Sequence, residues 1–153
     1  MLLPRTLTSR LASLRDAGVV MSFTAAVRSV LSQYVGFGGR ARRAEYWWFF
    51  LFSVLVGIVT SILDSVLGTD FEGSSTSGGL LNLIASLALF LPSLAVAVRR
   101  LHDTDRSGWW ILIGLIPLVG AIVLLVFFVQ DGTSGPNRFG PSPKYDPVPG
   151  WAA

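Results

Sequence analysis

The chain has 153 residues, 52% hydrophobic and 14% charged, with a mean hydropathy of +0.61. A soluble domain carries about 25% charged residues, and one small core cannot hide this much apolar surface, so lipid must solvate part of the chain. Eleven Arg and Lys144 against nine acids leave a formal charge of +3, an excess too small and too close to apolar stretches to indicate nucleic acid. The lack of cysteine excludes disulfides, zinc–thiolate sites, iron–sulfur clusters and thiol catalysis.

Residues 1–20 space Arg5, Arg10 and Arg15 among Leu and Ser without a continuous apolar run, unlike a secretory signal. They read as a leader: a disordered extension, or sequence upstream of a true start at Met21. Phe23, Val27, Val30, Leu31 and Tyr34 then recur at helical spacing, with Arg28, Ser29, Ser32 and Gln33 opposite. Gly36, Gly38 and Gly39 end that pattern. Such an amphipathic helix lies in the headgroup layer or packs on the end of its own bundle, and periodicity alone does not separate the two.

Three apolar stretches follow, at about 46–67, 80–98 and 109–129. At ~1.5 Å per residue each reaches roughly 28 to 33 Å, enough for a hydrocarbon core of ~30 Å. The third is the most apolar and holds no charge, although Gly114, Pro117 and Gly120 interrupt it. The second carries Asn82 and Pro92. The expected fold is therefore an all-α integral membrane protein. It has an N-terminal interfacial amphipathic helix, three transmembrane helices, and an irregular Pro/Gly-rich tail over 131–153, with 22–144 forming a single membrane domain. A re-entrant hairpin bent at Pro117–Gly120 is the alternative for the third stretch.

Basic residues set the orientation. Arg28, Arg40, Arg42 and Arg43 precede the first stretch, Arg99, Arg100 and Arg106 follow the second, and the segment 68–79 has none. The N-terminus is thus expected in the cytoplasm of a multi-pass inner-membrane protein. Three crossings send the tail, with Arg138 and Lys144, outside; a re-entrant third stretch returns it. Arg42-Arg43 before Trp47-Trp48, and Arg106 before Trp109-Trp110, each set guanidinium groups beside a Trp pair. With Tyr46, these Trp residues are the expected interfacial anchors.

The run from Tyr34 through Gly36, Gly38-Gly39-Arg40 and Arg42-Arg43 to Trp48 resembles the opening of the bacterial membrane family catalogued as domain of unknown function 805. Arg99-Arg-Leu-His-Asp-Thr-Asp-Arg-Ser-Gly-Trp-Trp110 is similar to that family's most distinctive stretch, and Gly135-Pro-Asn-Arg-Phe-Gly-Pro-Ser-Pro143 to its closing motif. The resemblance covers roughly Ser22 to Lys144 and implies an acidic residue where Ser142 stands here. It further implies an inner-membrane location and no assigned activity. The leader falls outside it.

Read from its residues, the Arg99–Trp110 stretch is a helical hairpin turn. Asp103, Thr104 and Asp105 suit a tight turn, and Ser107 suits the cap of the following helix. A functional reading has Arg99, Arg100 and Arg106, with Arg40, Arg42 and Arg43, gripping anionic phospholipid or a partner protein, because guanidinium binds phosphate bidentately. A sharper reading makes His102 and Asp103 a lipid-headgroup acid–base pair, without a nucleophile or a metal set beside them. As the single histidine, His102 cannot build a multi-His metal site, and no cofactor is expected. Polar residues within the spans (Ser53, Thr60, Ser61, Asp64, Asn82, Ser86 and Ser93) would mark a transport path, but so thin a bundle needs a homo-oligomer to form a channel.

Overall fold

The structure is a computed structural model, and it describes residues 21–71 and 78–144. The leader 1–20 and the last residues of the tail, 145–153, lie outside the described residues. Helix α1 is Phe23–Ser32, α2 is Arg43–Leu67 and α3 is Leu80–Asp103; a 3-10 helix, Gly108–Leu115, and a final α4, Val119–Val129, follow. Among the described residues no strand forms beyond two isolated bridges.

The long helices α2 and α3 form an antiparallel pair, and both are long and apolar enough to cross a membrane. In their most apolar windows only 6% of α2 and 22% of α3 is buried by protein. Phe50, Leu51, Val54, Leu55, Ile58 and Val59 are all exposed on α2. An apolar face that wide is tolerated by lipid and not by water.

Asp64 closes one end of the pair. It sits near the end of α2, and its carboxylate accepts the amides of Leu81 (2.9 Å) and Asn82 (2.8 Å) in the first turn of α3, with the Thr69 hydroxyl at 2.5 Å. Helix α3 has no side-chain cap of its own, so a residue of the neighbouring helix fills the amides that lipid cannot satisfy. One turn deeper, Asn82 Nδ2 donates to the Gly57 carbonyl (3.1 Å) and reaches Thr60 Oγ1 (3.2 Å) and Ser61 Oγ (3.0 Å). The polar residues of this end are joints between the two helices.

Helix α1 ends at Ser32, short of Tyr34, where the expected helical pattern ran. Ser22 caps it by accepting the Ala25 amide at 3.2 Å. Ala26 and Val30 are buried, and Val30 joins Ala41, Phe49 and Val96 in one core cluster. Phe23 meets Trp48 edge-on, with centroids 5.8 Å apart. The apolar face of α1 is thus turned onto α2 and α3. Just beyond α1, the Tyr34 hydroxyl donates to the Ala88 carbonyl. Pro92 lies four residues later, so it has no amide to offer that carbonyl. Tyr34 supplies the missing donor, and α3 runs through Pro92 unbroken.

The third apolar stretch differs from the expected span: 109–129 is not one helix but two arms that fold back on each other. Ser107 does cap its start, accepting the Trp109 amide at 3.4 Å, but the cap opens a 3-10 helix. At the bend Pro117 lacks an amide, Leu118 takes φ +63, and Gly120 packs so tightly on the Ile113 carbonyl that a Cβ would overlap it. Further down, Trp110 meets Phe127 with centroids 5.6 Å apart, so the start and finish of the stretch lie side by side. Eight residues at ~2.0 Å and eleven at ~1.5 Å give two arms of about 16 Å each. Hydropathy measures whether a stretch dissolves in lipid; it does not register that the stretch turns round midway.

Replacing Asp64 by Ala leaves the Leu81 and Asn82 amides without an acceptor. The expected loss is about 2 kcal/mol, read from reversible unfolding in mixed micelles, and Asp64→Asn, which keeps an acceptor, loses less.

Candidate functional site

At the opposite end from Asp64, three arginines and two acids lie inside the protein. Arg40, Arg99 and Arg100 are buried, as are Glu45, Asp103 and His102. Arg40 comes from the segment before α2, Glu45 from the first turn of α2, and the other four from the last five residues of α3. Such burial requires paired charges and filled hydrogen bonds.

Asp103 is the hub. Its carboxylate meets Arg40 Nη2 at 2.9 Å on one oxygen and Arg100 Nη1 on the other. Its own carbonyl accepts the Thr133 amide at 2.9 Å. Arg40 donates further to the carbonyls of Thr133 (2.7 Å), Gly135 (2.8 Å) and Gly140 (3.3 Å). Arg100 donates to the Phe128 carbonyl at 3.2 Å and to that of Gln130. Gly132 passes so close to the Asp103 carboxylate that no Cβ would fit there. The segment expected as an irregular tail is therefore folded onto this end of the bundle as far as Lys144, which lies 3.7 Å from Asp131.

A second pair stands beside it. Arg99 Nη1 lies 3.1 Å from Glu45 Oε1 and 3.1 Å from Gln33 Oε1, and the Ser29 hydroxyl donates to the same Glu45 oxygen at 3.1 Å. This ties α1, α2 and α3 together. Glu45 thus pairs across the bundle with Arg99.

His102 and Asp103 face different neighbours. His102 donates from Nδ1 to the Gly39 carbonyl at 3.1 Å, and its ring stacks on Phe139 with centroids 3.9 Å apart. Asn137 Nδ2 donates to the His102 carbonyl at 2.9 Å. The histidine is thus clamped by the closing motif while Asp103 holds two guanidinium groups. No group of three or more His, Asp or Glu placed to hold a metal occurs among the described residues.

The other expected arginines lie at the rim. Arg43 is 3.0 Å from Asp131 with its side chain 44% exposed, and it donates to the Val129 carbonyl at 3.0 Å. Arg42 donates to the Pro143 carbonyl. Arg106 lies over the Phe127 ring at 4.0 Å. Of the five aromatic anchors, Tyr46 is half-buried against Phe128 at 4.5 Å and Trp47 packs beside it, whereas Trp48, Trp109 and Trp110 are exposed.

Sequence reasoning missed Thr133, Gly135, Asn137, Phe139 and Gly140 as partners. The available signal was arithmetic: three clustered arginines with two nearby acids need carbonyl acceptors, and a Gly/Pro-rich segment supplies carbonyls not committed to a helix. Elsewhere, a groove of about 280 Å³ between α2 and α3 is lined by Ser53, Gly57, Ser86 and Ser93 among apolar neighbours. Ser53 donates back to the Phe49 carbonyl at 3.0 Å, within its own helix.

Asp103→Asn takes the carboxylate from two buried arginines, a loss of about 3–5 kcal/mol for a broken buried pair. The tail should loosen with it. Trypsin cleavage after Arg138 is expected to accelerate by at least about tenfold, while an unchanged rate would show that the tail is held by other contacts.

The model of the family described as protein of unknown function (DUF805) matches residues 34–141. Inner membrane protein YhaI of Escherichia coli K12 is 50% identical over 117 residues, covering 76% of this chain and 93% of the relative. Inner membrane protein YhaH of the same strain is 51% identical over 118 residues, covering 77% and 95%. No solved structure matches. With its buried arginine cluster and two long apolar helices, the chain belongs to the DUF805 family and is a transmembrane protein of the inner membrane.

Proposed function

We propose that the protein is a non-catalytic, multi-pass membrane protein that crosses the bilayer twice, dips a re-entrant hairpin into the cytoplasmic leaflet, and meets anionic lipid through a basic rim. One observation carries this reading. All nine basic residues between Met21 and Lys144 belong to segments gathered at the Asp103 end of the α2–α3 pair, and segment 68–79 has none. Such one-sidedness is the signature of a cytoplasmic face. The two arms of about 16 Å each match half of a ~30 Å hydrocarbon core, which supports a hairpin tip near the midplane.

Within that face the arginines divide by position. Arg40, Arg99 and Arg100 hold the protein together, and Arg42, Arg43 and Arg106 border the bilayer beside Trp48, Trp109 and Trp110. The rim set keeps part of its surface exposed toward phosphate headgroups, each basic group contributing about 1 kcal/mol near an anionic surface. His102 and Asp103 are each engaged with other partners, which favours structure over headgroup chemistry. The groove hydroxyl of Ser53 is satisfied within its helix, which leaves little to line an ion path.

Two experiments test the reading. The chain has no cysteine, so single cysteines report topology directly. Ser134→Cys should react with an impermeant thiol reagent only in inside-out vesicles, and Asp70→Cys only in right-side-out ones. Labelling of both from one side would sink the two-crossing topology. For the rim, Arg43→Ala/Arg106→Ala should lower the preference for anionic over neutral lipid by roughly tenfold, measured as lipid composition around the protein in mixed nanodiscs. An unchanged preference removes the rim from the proposal.

A further inference from the structure

The buried charges at the Asp103 end do not balance. Arg40, Arg99 and Arg100 bring three positive charges, and Glu45 and Asp103 bring two negative ones. The helix C-terminus offsets part of the difference, since α3 ends among these residues. Arg40 and Arg100 share Asp103 and are spread over main-chain carbonyls of residues 128–140. Arg99 has neither kind of relief along one edge. Its Nη1 corner meets Glu45 and Gln33, but Nε and Nη2 are buried with no hydrogen-bond partner.

Those two nitrogens are the two-pronged edge of a guanidinium. Side by side, their N–H groups match two oxygens of a carboxylate or phosphate. Leaving both unfilled in a low-dielectric place is unfavourable, because each N–H gives up its bond to water and gains none in return. A monoanionic oxyanion would balance the charge and fill the edge together. Depth selects its class. From Leu80 to Arg99 is nineteen residue steps along α3, about 29 Å at ~1.5 Å each, which is the thickness of the hydrocarbon core. Arg99 therefore stands at the level where phosphodiesters are concentrated. Gln33, exposed at the end of α1, and the buried Glu45 together close the Nη1 corner.

We propose that the Nε–Nη2 edge of Arg99, beneath the C-terminal end of α1, binds one phosphoryl oxyanion, from a phospholipid headgroup or from free phosphate. This rests on the membrane placement given above but not on the rim, and a single stoichiometric ligand distinguishes it from a general lipid preference.

The test is native mass spectrometry of the full chain with phosphorus analysis. One sample is released from phosphatidylcholine–phosphatidylglycerol nanodiscs, and another is held in phospholipid-free detergent with added inorganic phosphate. The wild type should keep one phosphoryl group per chain in at least one sample. Retention of lipid alone identifies the headgroup as the source, and retention in detergent identifies free phosphate. Arg99→Lys keeps the charge and loses the two-pronged edge, so its retention should fall by at least about tenfold, with helix content by circular dichroism confirming that it has folded. A wild type carrying no phosphorus in either sample overturns the site, whatever the lysine variant does and whatever the rim prefers. Equal retention by a folded Arg99→Lys overturns it as well.

Discussion

One carboxylate, that of Asp103, is shared by two buried guanidinium groups that arrive from different directions. Arg40 comes from the segment ahead of α2 and brings the carbonyls of Thr133, Gly135 and Gly140 with it. Arg100 is on the same turn of α3 as Asp103 and gathers the carbonyls of Phe128 and Gln130. A buried ionic pair is weak evidence for stability, because desolvation offsets much of its attraction. Its use here is to specify position. Removing a partner leaves a buried charge, so alternative arrangements of these four segments are disfavoured.

The hairpin follows from that constraint. The 3-10 helix begins five residues after Asp103, and α4 ends at Val129, beside the carbonyls that Arg100 holds. With both ends of the 108–129 stretch tied to one place, a straight crossing is impossible and the apolar chain must turn. Pro117 and Gly120 make the turn sterically feasible, and Leu118 accepts a positive φ there. The strain of a non-glycine residue in that region, of order 1–3 kcal/mol, is borne because the ends are fixed more firmly than the bend. Asp64 does a related task at the other end, where a carboxylate of one helix caps the first turn of the next. Both ends of the α2–α3 pair are joined by an acid that reaches across elements.

The helical membrane class and the two long helices were legible because periodicity and length carry that information directly. Helix α2 starts three residues before the expected Tyr46, and α3 runs five past the expected Val98. Hydropathy sees the apolar part of a helix, and the charged turns that continue it stay hidden until their partners are known. The tail was illegible for a different reason. Pro136, Pro141 and Pro143 rule out a helix, but they do not imply a loose segment when buried guanidinium groups need carbonyl acceptors. Phe139 on His102 and Asn137 on its carbonyl are long-range contacts with no local signature. The motif at Arg99–Trp110 and the closing motif were recognised separately, and it is their packing together that explains why both are there.

The same packing changes what an arginine-rich motif means in this protein. Guanidinium groups in sequence beside a membrane span suggest phosphate binding, and six were read that way. Burial separates them. Arg40 and Arg100 are saturated by Asp103 and main-chain oxygens, so a phosphate could bind either only by displacing contacts that hold the hairpin and tail in place. Arg42, Arg43 and Arg106 keep part of their surface exposed at the rim. Arg99 belongs to neither group: it is as deeply buried as Arg100, yet its two-pronged edge is unfilled. Depth and partner count, more than the number of arginines, decide which of these residues can recognise anything, and they isolate Arg99.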